Sequence, residues 1–550
     1  MLDFLELTDQ LLKSKQFEKA LKLCRKYLKD PKYALHAHKI SAYVLIQLNR
    51  NKEAKKILYK AIQKWPNDLS IRQDYARLLY LEGECQAALK QYEKILLIKP
   101  DDSIFLSNKA SCLLALNDLK EAKIWALKST LVKKPHVNGF NTLGIVCTKL
   151  RDVDEAEKAF RTALEIGPVD VHQVYNYLNF CESHNKPERG VDTYLSLPKH
   201  FQEHPLILSK YAFFQKRAKN YDDAKASLKH ALSHPHIFTP QQFRDAQSEL
   251  GQILNLQQKY DEAFTCFEQA NNSAQESYKN LAHESPYAEI AFQDEAKLDG
   301  ESQIGEQPIF VLGFPRSSTT LMEQILSTDD SVSAFEETPV ITEVFRKMRQ
   351  NMENNCHLKR SDYQALFFKI YREKYNWEQK KILLDRSAPN SIYVQFIRDL
   401  FPTAKIIFLH RHPMDLVLSC FMQNFMPNYI TIEFTNLNNT TSLFCDTYCA
   451  LNNISKQPET YLDLKYEDLI NNFEHETKKI FKFIGLKWNE RVYDYWKFAK
   501  QKERIHTASY QQVIGPIYAS SINRWHNYKP YLSDVKDRLQ PYCQQLGYKL

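Results

Sequence analysis

The sequence predicts an α-helical repeat superhelix followed by an α/β domain with a central parallel sheet. Three observations predict it. Small residues recur every 34 positions through the first half. From Pro308 onward, short apolar runs alternate with amphipathic helical stretches. Glycine is scarce, 12 in 550 residues, which suits long helices better than an all-β architecture. A chain of 550 residues also exceeds one ordinary hydrophobic core.

The repeat stands on four columns in register. Ala20, Ala54, Ala88, Ala122 and Ala156 hold the frame, and Gly190 and Ala224 continue it. Twelve residues earlier stand Ala42, Ala76, Ala110, Gly144 and Ala212, and four residues later Tyr92, Phe160 and Tyr194, with Leu58 and Leu228 equivalent. Twelve residues after the frame come Pro66, Pro100 and Pro168, with Pro135 one residue late. Gly251, Ala263 and Phe267 restate the pattern after a five-residue slip, and Leu178 stands where a small residue belongs. Small residues on facing helices permit close approach, an aromatic fills the space between pairs, and proline ends the second helix. The period and residue types resemble the tetratricopeptide repeat (TPR) over residues 1–275, roughly seven or eight units. Such arrays stack into a superhelix with a concave groove, which implies a protein or peptide partner. Residues 276–306 read as a capping helix and linker, and 307–550 as a second domain.

Bulk properties narrow the function. Lys+Arg total 74 against 66 Asp+Glu, a net +8. That excess can attract an anionic ligand but is too small to argue for nucleic acid. The start, MLDFLELTDQLLKSK, has early acids and no apolar h-region, and no run of 18 apolar residues exists. Neither a signal peptide nor a membrane span is expected. Eleven scattered cysteines without a CxxC pair suggest free thiols in a reducing compartment, and the expected location is cytoplasmic. Histidines form no metal-ligand pattern, so no metal site is expected.

In the second domain PIFVLG (308–313), KILLD (381–385), KIIFLH (405–410) and YLDLKY (461–466) read as buried strands of a parallel sheet. Ligands of such sheets sit at the carboxyl ends of the strands. The first strand runs into Gly313-Phe314-Pro315-Arg316-Ser317-Ser318-Thr319-Thr320, and LMEQIL continues as a helix. A strand–loop–helix rich in hydroxyls, with an arginine at the turn, is a phosphate cradle built on backbone N–H groups and a helix N-terminus. The absence of GK[ST] argues against an ordinary ATP or GTP enzyme.

PRSSTTLMEQIL resembles the 5′-phosphosulfate loop of sulfotransferases that use PAPS (3′-phosphoadenosine 5′-phosphosulfate), in a form close to the tyrosylprotein sulfotransferases and to repeat–sulfotransferase fusions. Four further segments resemble that family in order. FEETPVI matches its GEET segment, with Glu337 where the family keeps its base. KIIFLHRHPMDLVLSCF matches the 3′-phosphate motif, through Arg411 and Ser419. LKYEDLI places Tyr466 at a nucleotide-contacting tyrosine. TASYQQVIGPIYASSINRW places Ser509 and Arg524 at binding positions.

The resemblance implies a P-loop-like sulfotransferase domain, a TPR–sulfotransferase fusion, and transfer of a sulfuryl group from PAPS to an acceptor hydroxyl without a metal. Arg316, Ser317, Ser318, Thr319 and Thr320 would hold the donor, with Arg411, Ser419, Tyr466, Ser509 and Arg524; Glu337, Arg316 and Arg386 would be catalytic. Glu336 competes with Glu337, although neighbours on an extended segment point opposite ways. The EET segment points to protein tyrosine as acceptor, with glycans, lipids and small phenols left open. Two departures stand out. Ser318 replaces the family's loop glycine and fits if its φ is negative; Arg386 replaces a lysine, keeping the charge but not the geometry. The alternative is a TPR scaffold with a degenerate sulfotransferase domain.

Overall fold

A computed structural model describes residues 3–167, 170–279, 285–295, 297–302, 307–356, 358–501, 515 and 521–550. The chain divides into two compact units, Met1–Gln202 and Glu203–Leu550. The first is a succession of antiparallel helix pairs, for example Leu69–Leu81 with Cys85–Leu96 and Val137–Lys149 with Val153–Ile166.

The repeat columns do what their sizes dictate. Ala20, Ala54, Ala88, Ala122 and Ala156 are fully buried, as are Ala76 and Ala110 on the partner helices. A Cβ added to Gly144 would lie 2.8 Å from the Phe160 ring, and one added to Gly251 would lie 2.7 Å from the Phe267 ring. Glycine is required there because the aromatic column packs directly on the backbone. Leu178 is buried in the core although its column otherwise holds small residues.

A fifth column appears only in the backbone. Lys15, Asn49, Gly83, Asn117, Arg151, Asn185 and Lys219 all have φ between 54° and 80°, and Gln258 follows at 60° after the slip. Each ends the first helix of a pair in the left-handed region, where asparagine and glycine fit and lysine or arginine is strained. The chemistry of this column is too mixed to read as a repeat. Pro168 lies outside the described residues.

The second unit begins with two more helix pairs, Pro205–Arg217 with Tyr221–Leu232 and Pro240–Leu256 with Tyr260–Ser277. It continues through the helix Pro286–Glu295 into a five-stranded parallel sheet. The strands are β1 (Ile309–Leu312), β2 (Val332–Glu336), β3 (Ile382–Arg386), β4 (Lys405–His410) and β5 (Tyr461–Lys465), in the order β2-β3-β1-β4-β5. Four of these coincide with the expected apolar runs. β2 does not, because an edge strand that is only half-buried needs no continuous apolar run. Register sets Val311 and Glu336 on either side of Arg386, and His410 beside Lys465. Val311, Ile407, Leu409 and Leu384 form the buried middle of the sheet, with Met322, Ile325, Ile480 and Phe481 from helices packed upon it.

The helix pair Pro240–Leu256 and Tyr260–Ser277 is bonded into this unit. Arg244 donates to the Phe425 carbonyl at 2.5 Å, Asn424 to Asp245 at 2.6 Å and Asn271 to the Phe421 carbonyl at 2.9 Å. A chain beginning at Glu203 should therefore fold cooperatively. One beginning at residue 276 should expose Phe421 and Tyr528 and be measurably less stable to urea. Equal stability of the two fragments would show that the helix pair adds nothing to this unit.

Candidate active site

Every strand delivers one element of the site at its carboxyl end. β1 leads into Gly313–Thr320 and the helix Thr319–Leu326; β2 ends in Glu336 and β3 in Arg386; Arg411 follows β4 and Tyr466 follows β5. Gly313 is required by close approach, since a Cβ there would lie 2.7 Å from the Leu409 carbonyl oxygen. The loop turns through a bond from Ser317 N–H to the Phe314 carbonyl at 3.0 Å. Thr319 and Thr320 are buried in the first helical turn. Ser318 is its N-cap and gives it no side-chain bond.

Arg316, Ser419, Arg411 and Tyr466 form one linked set. Arg316 Nε donates to Ser419 Oγ at 3.2 Å, and the Arg316 carbonyl accepts from Arg411 Nη1 at 3.1 Å. The Arg411 guanidinium lies 5.2 Å above the Tyr466 ring and donates to the Ser521 carbonyl at 2.7 Å, while the Tyr466 hydroxyl meets Ser521 Oγ at 2.8 Å. Arg524 opens the 3-10 helix Arg524–Leu532, between Asn523 and Trp525, whose N–H groups both donate to Asp415 at 2.7 Å. Asp415 lies in the first turn of the helix Pro413–Phe421, so it ties that helix to the chain's last segment. Ser509 lies outside the described residues.

Arg386 centres a second set. It is fully buried and holds three carboxylates: Glu323 Oε2 at 2.7 Å from Nε, Glu336 Oε1 at 3.0 Å from Nη2 and Glu337 Oε1 at 3.1 Å from Nη1. Glu336 and Glu337 do not point opposite ways. The strand ends at Glu336, and Glu337 takes a φ of 46°, which swings its carboxylate back to the same guanidinium. Glu337 N–H donates to the Arg386 carbonyl at 2.8 Å. Partial desolvation raises the Glu337 pKa above the ordinary glutamate value, against the pull of Arg386 and Arg316, although 40% of the side chain stays exposed. Behind the pair, Tyr371 donates to Asp385 at 2.6 Å, Asn390 donates to Asp385 at 3.0 Å, and Thr338 meets the Tyr371 hydroxyl at 2.7 Å. Burial pushes Asp385 up to about 6.

A family model described as "Sulfotransferase family" matches residues 308–490, and one for the tetratricopeptide repeat matches residues 45–107. The sulfotransferase-family match falls on the sheet-bearing part of the chain and the tetratricopeptide match on its helical repeats. An uncharacterized protein of Aquifex aeolicus is 29% identical over 58% of this chain and 44% of its own length. A protein-tyrosine sulfotransferase of Drosophila melanogaster is 24% identical over 44% of this chain and 51% of its own. The chain thus spans about half the length of these curated relatives. A solved structure described as the sulfotransferase domain from the curacin biosynthetic pathway aligns at 19% identity and a TM-score of 0.33, over 44% of this chain and 99% of that one. No residue role rests on that likeness.

Sequence reasoning missed Glu323, Asp385 and Tyr371 in the sheet domain. A signal existed for Glu323. It stands in the apolar helix TTLMEQIL, where a buried carboxylate demands a partner. Nothing in the sequence pairs Tyr371 with Asp385.

Ser318 departs from its expectation: its φ is +81°, in the left-handed region rather than the negative one. Such a conformation costs a side-chain-bearing residue about 1–2 kcal/mol, part of which glycine returns through its freer unfolded chain. Ser318→Gly should raise stability by up to about 1 kcal/mol in urea denaturation. A neutral or destabilising result would mean that the loop holds no such strain. Among the described residues, no helix is long and apolar enough to cross a membrane.

Proposed function

We propose that the protein is a PAPS-dependent sulfotransferase acting on an acceptor hydroxyl, with protein tyrosine as the candidate acceptor. The observation that carries the reading is the gathering of Arg316, Glu337, Arg386, Arg411 and Tyr466 at the carboxyl ends of five adjacent parallel strands. The residues fit the donor. Ser317 Oγ and Arg411 Nε are buried without a hydrogen-bond partner among the described residues, and the loop leads into a helix N-terminus. Both atoms are donors suited to phosphate oxygens.

PAPS supplies the activated sulfuryl group. Arg316, Ser317, Ser318, Thr319 and Thr320 hold its 5′ side and take up the charge that develops there. Arg411 and Ser419 read the 3′-phosphate that distinguishes PAPS from ATP, with Tyr466, Ser509 and Arg524 completing that half. Glu337 accepts the proton of the attacking hydroxyl, and Arg386 positions Glu337 by holding its carboxylate. The repeats bind a protein substrate or partner.

Adenosine 3′,5′-bisphosphate should raise the melting temperature, as expected for a ligand that binds only the folded state; a hundredfold excess over Kd adds about 2.7 kcal/mol. ATP should do far less, and labelled PAPS should pass label to an acceptor with EDTA present. Equal shifts with both nucleotides would count against the family's donor. Donor binding without transfer to any acceptor would favour a scaffold with a degenerate domain.

A further inference from the structure

The last repeat's helix pair, Pro240–Leu256 and Tyr260–Ser277, touches both segments that flank the 3′ side of the proposed donor site. Phe264 stacks between them. Its ring lies 5.2 Å from that of Phe421 at 20°, and 3.9 Å from that of Tyr531 at 11°. Phe421 closes the helix that carries Ser419, and Tyr531 lies on the 3-10 helix that Arg524 opens. Hydrogen bonds fix the same junction. Tyr531 donates to Asp261 at 2.7 Å, Tyr528 to Asn255 at 2.8 Å and Asn271 to the Phe421 carbonyl at 2.9 Å.

Each segment is short or irregular and takes its direction from what it packs against. The helix Pro413–Phe421 has 9 residues, and Arg524–Leu532 contains Pro530 and a non-helical Tyr528. Asp415 ties the two together at their first turns, and the repeat pair ties them at their far ends.

We infer that Phe264, a repeat residue outside the sulfotransferase domain, is a positioning residue for the 3′-phosphate. The inference rests on the donor reading above. Phe264 acts by setting Ser419 and Arg524 through Phe421 and Tyr531. The last repeat is thereby part of the donor site, and the array cannot be exchanged for another without loss of donor affinity.

The test compares two probes on the full chain by calorimetry. Adenosine 3′,5′-bisphosphate engages the 3′ half, whereas adenosine 5′-phosphosulfate lacks the 3′-phosphate and engages the loop alone. Phe264→Ala should weaken the bisphosphate about tenfold while changing the phosphosulfate less than about twofold. Phe264→Tyr keeps the ring and should bind both as the parent does. If the alanine variant does not fold, Phe264→Leu keeps most of the volume without the stack and carries the same comparison. Equal weakening of both probes would reduce Phe264 to a structural residue, and an unchanged bisphosphate affinity in a folded variant would overturn the inference. A parent chain that binds neither probe would instead sink the donor reading.

Discussion

Glu337→Gln should lower the transfer rate by about 10²–10⁴-fold while leaving the affinity for adenosine 3′,5′-bisphosphate nearly unchanged. The substitution keeps the shape and removes the basic oxygen. The carboxylate is placed for the role by three features. Its φ of 46° turns it off the strand, its N–H bonds the Arg386 carbonyl, and Arg386 Nη1 holds one oxygen at 3.1 Å. Partial desolvation raises its pKa, and a general base works only when deprotonated. The acid limb of the rate profile should therefore lie above the ordinary glutamate range and should vanish in Glu337→Gln. Glu336 sits at the same guanidinium at 3.0 Å, so Glu336→Gln is the control and should be milder. Activity lost in Glu336→Gln and kept in Glu337→Gln would move the base by one residue. Near-normal rates in both would remove a carboxylate base from the reaction.

Arg386→Met should destabilise the second unit by about 3–5 kcal/mol, because it leaves a buried carboxylate without its counter-charge. Glu323 is the critical one: its side chain is 2% exposed and its Oε2 lies 2.7 Å from Arg386 Nε. Adding Glu323→Gln removes the stranded charge and should recover much of the loss, so the pair is non-additive. Urea denaturation of the single and double variants measures this directly. A single variant as stable as the parent, or a double variant no better than the single, would show that the Glu323–Arg386 pair is not what holds the sheet end together. Arg386→Lys should recover little, since one ammonium cannot reproduce a fork that spans three carboxylates.

Periodicity made the repeats legible. The alanine columns at Ala20 through Ala156 and the aromatic at Phe160 are chemical consequences of close helix packing, so they survive as letters. The left-handed column from Lys15 to Lys219 was not legible, because the backbone imposes it on whatever residue stands there. The three inner strands β3, β1 and β4 and the edge strand β5 were readable as apolar runs. β2 was hidden because all five of its residues are half-buried, whereas the other edge strand, β5, keeps two buried positions.

The sequence by itself determined the repeat array, the hydroxyl-rich strand–loop–helix turn at Gly313–Thr320 and the order of the segments through Arg411, Ser419 and Tyr466. These depend on residue type at fixed local spacing, which a linear chain records. Only the tertiary structure decided that Arg386 serves three carboxylates rather than facing solvent, that Ser318 and Glu337 take left-handed conformations, and that Phe264 is wedged between Phe421 and Tyr531. Those contacts join residues between 49 and 267 positions apart, from Glu337 with Arg386 to Phe264 with Tyr531. Long-range packing leaves no periodic trace, because any residue of suitable size or charge at the far position satisfies it once the chain has closed.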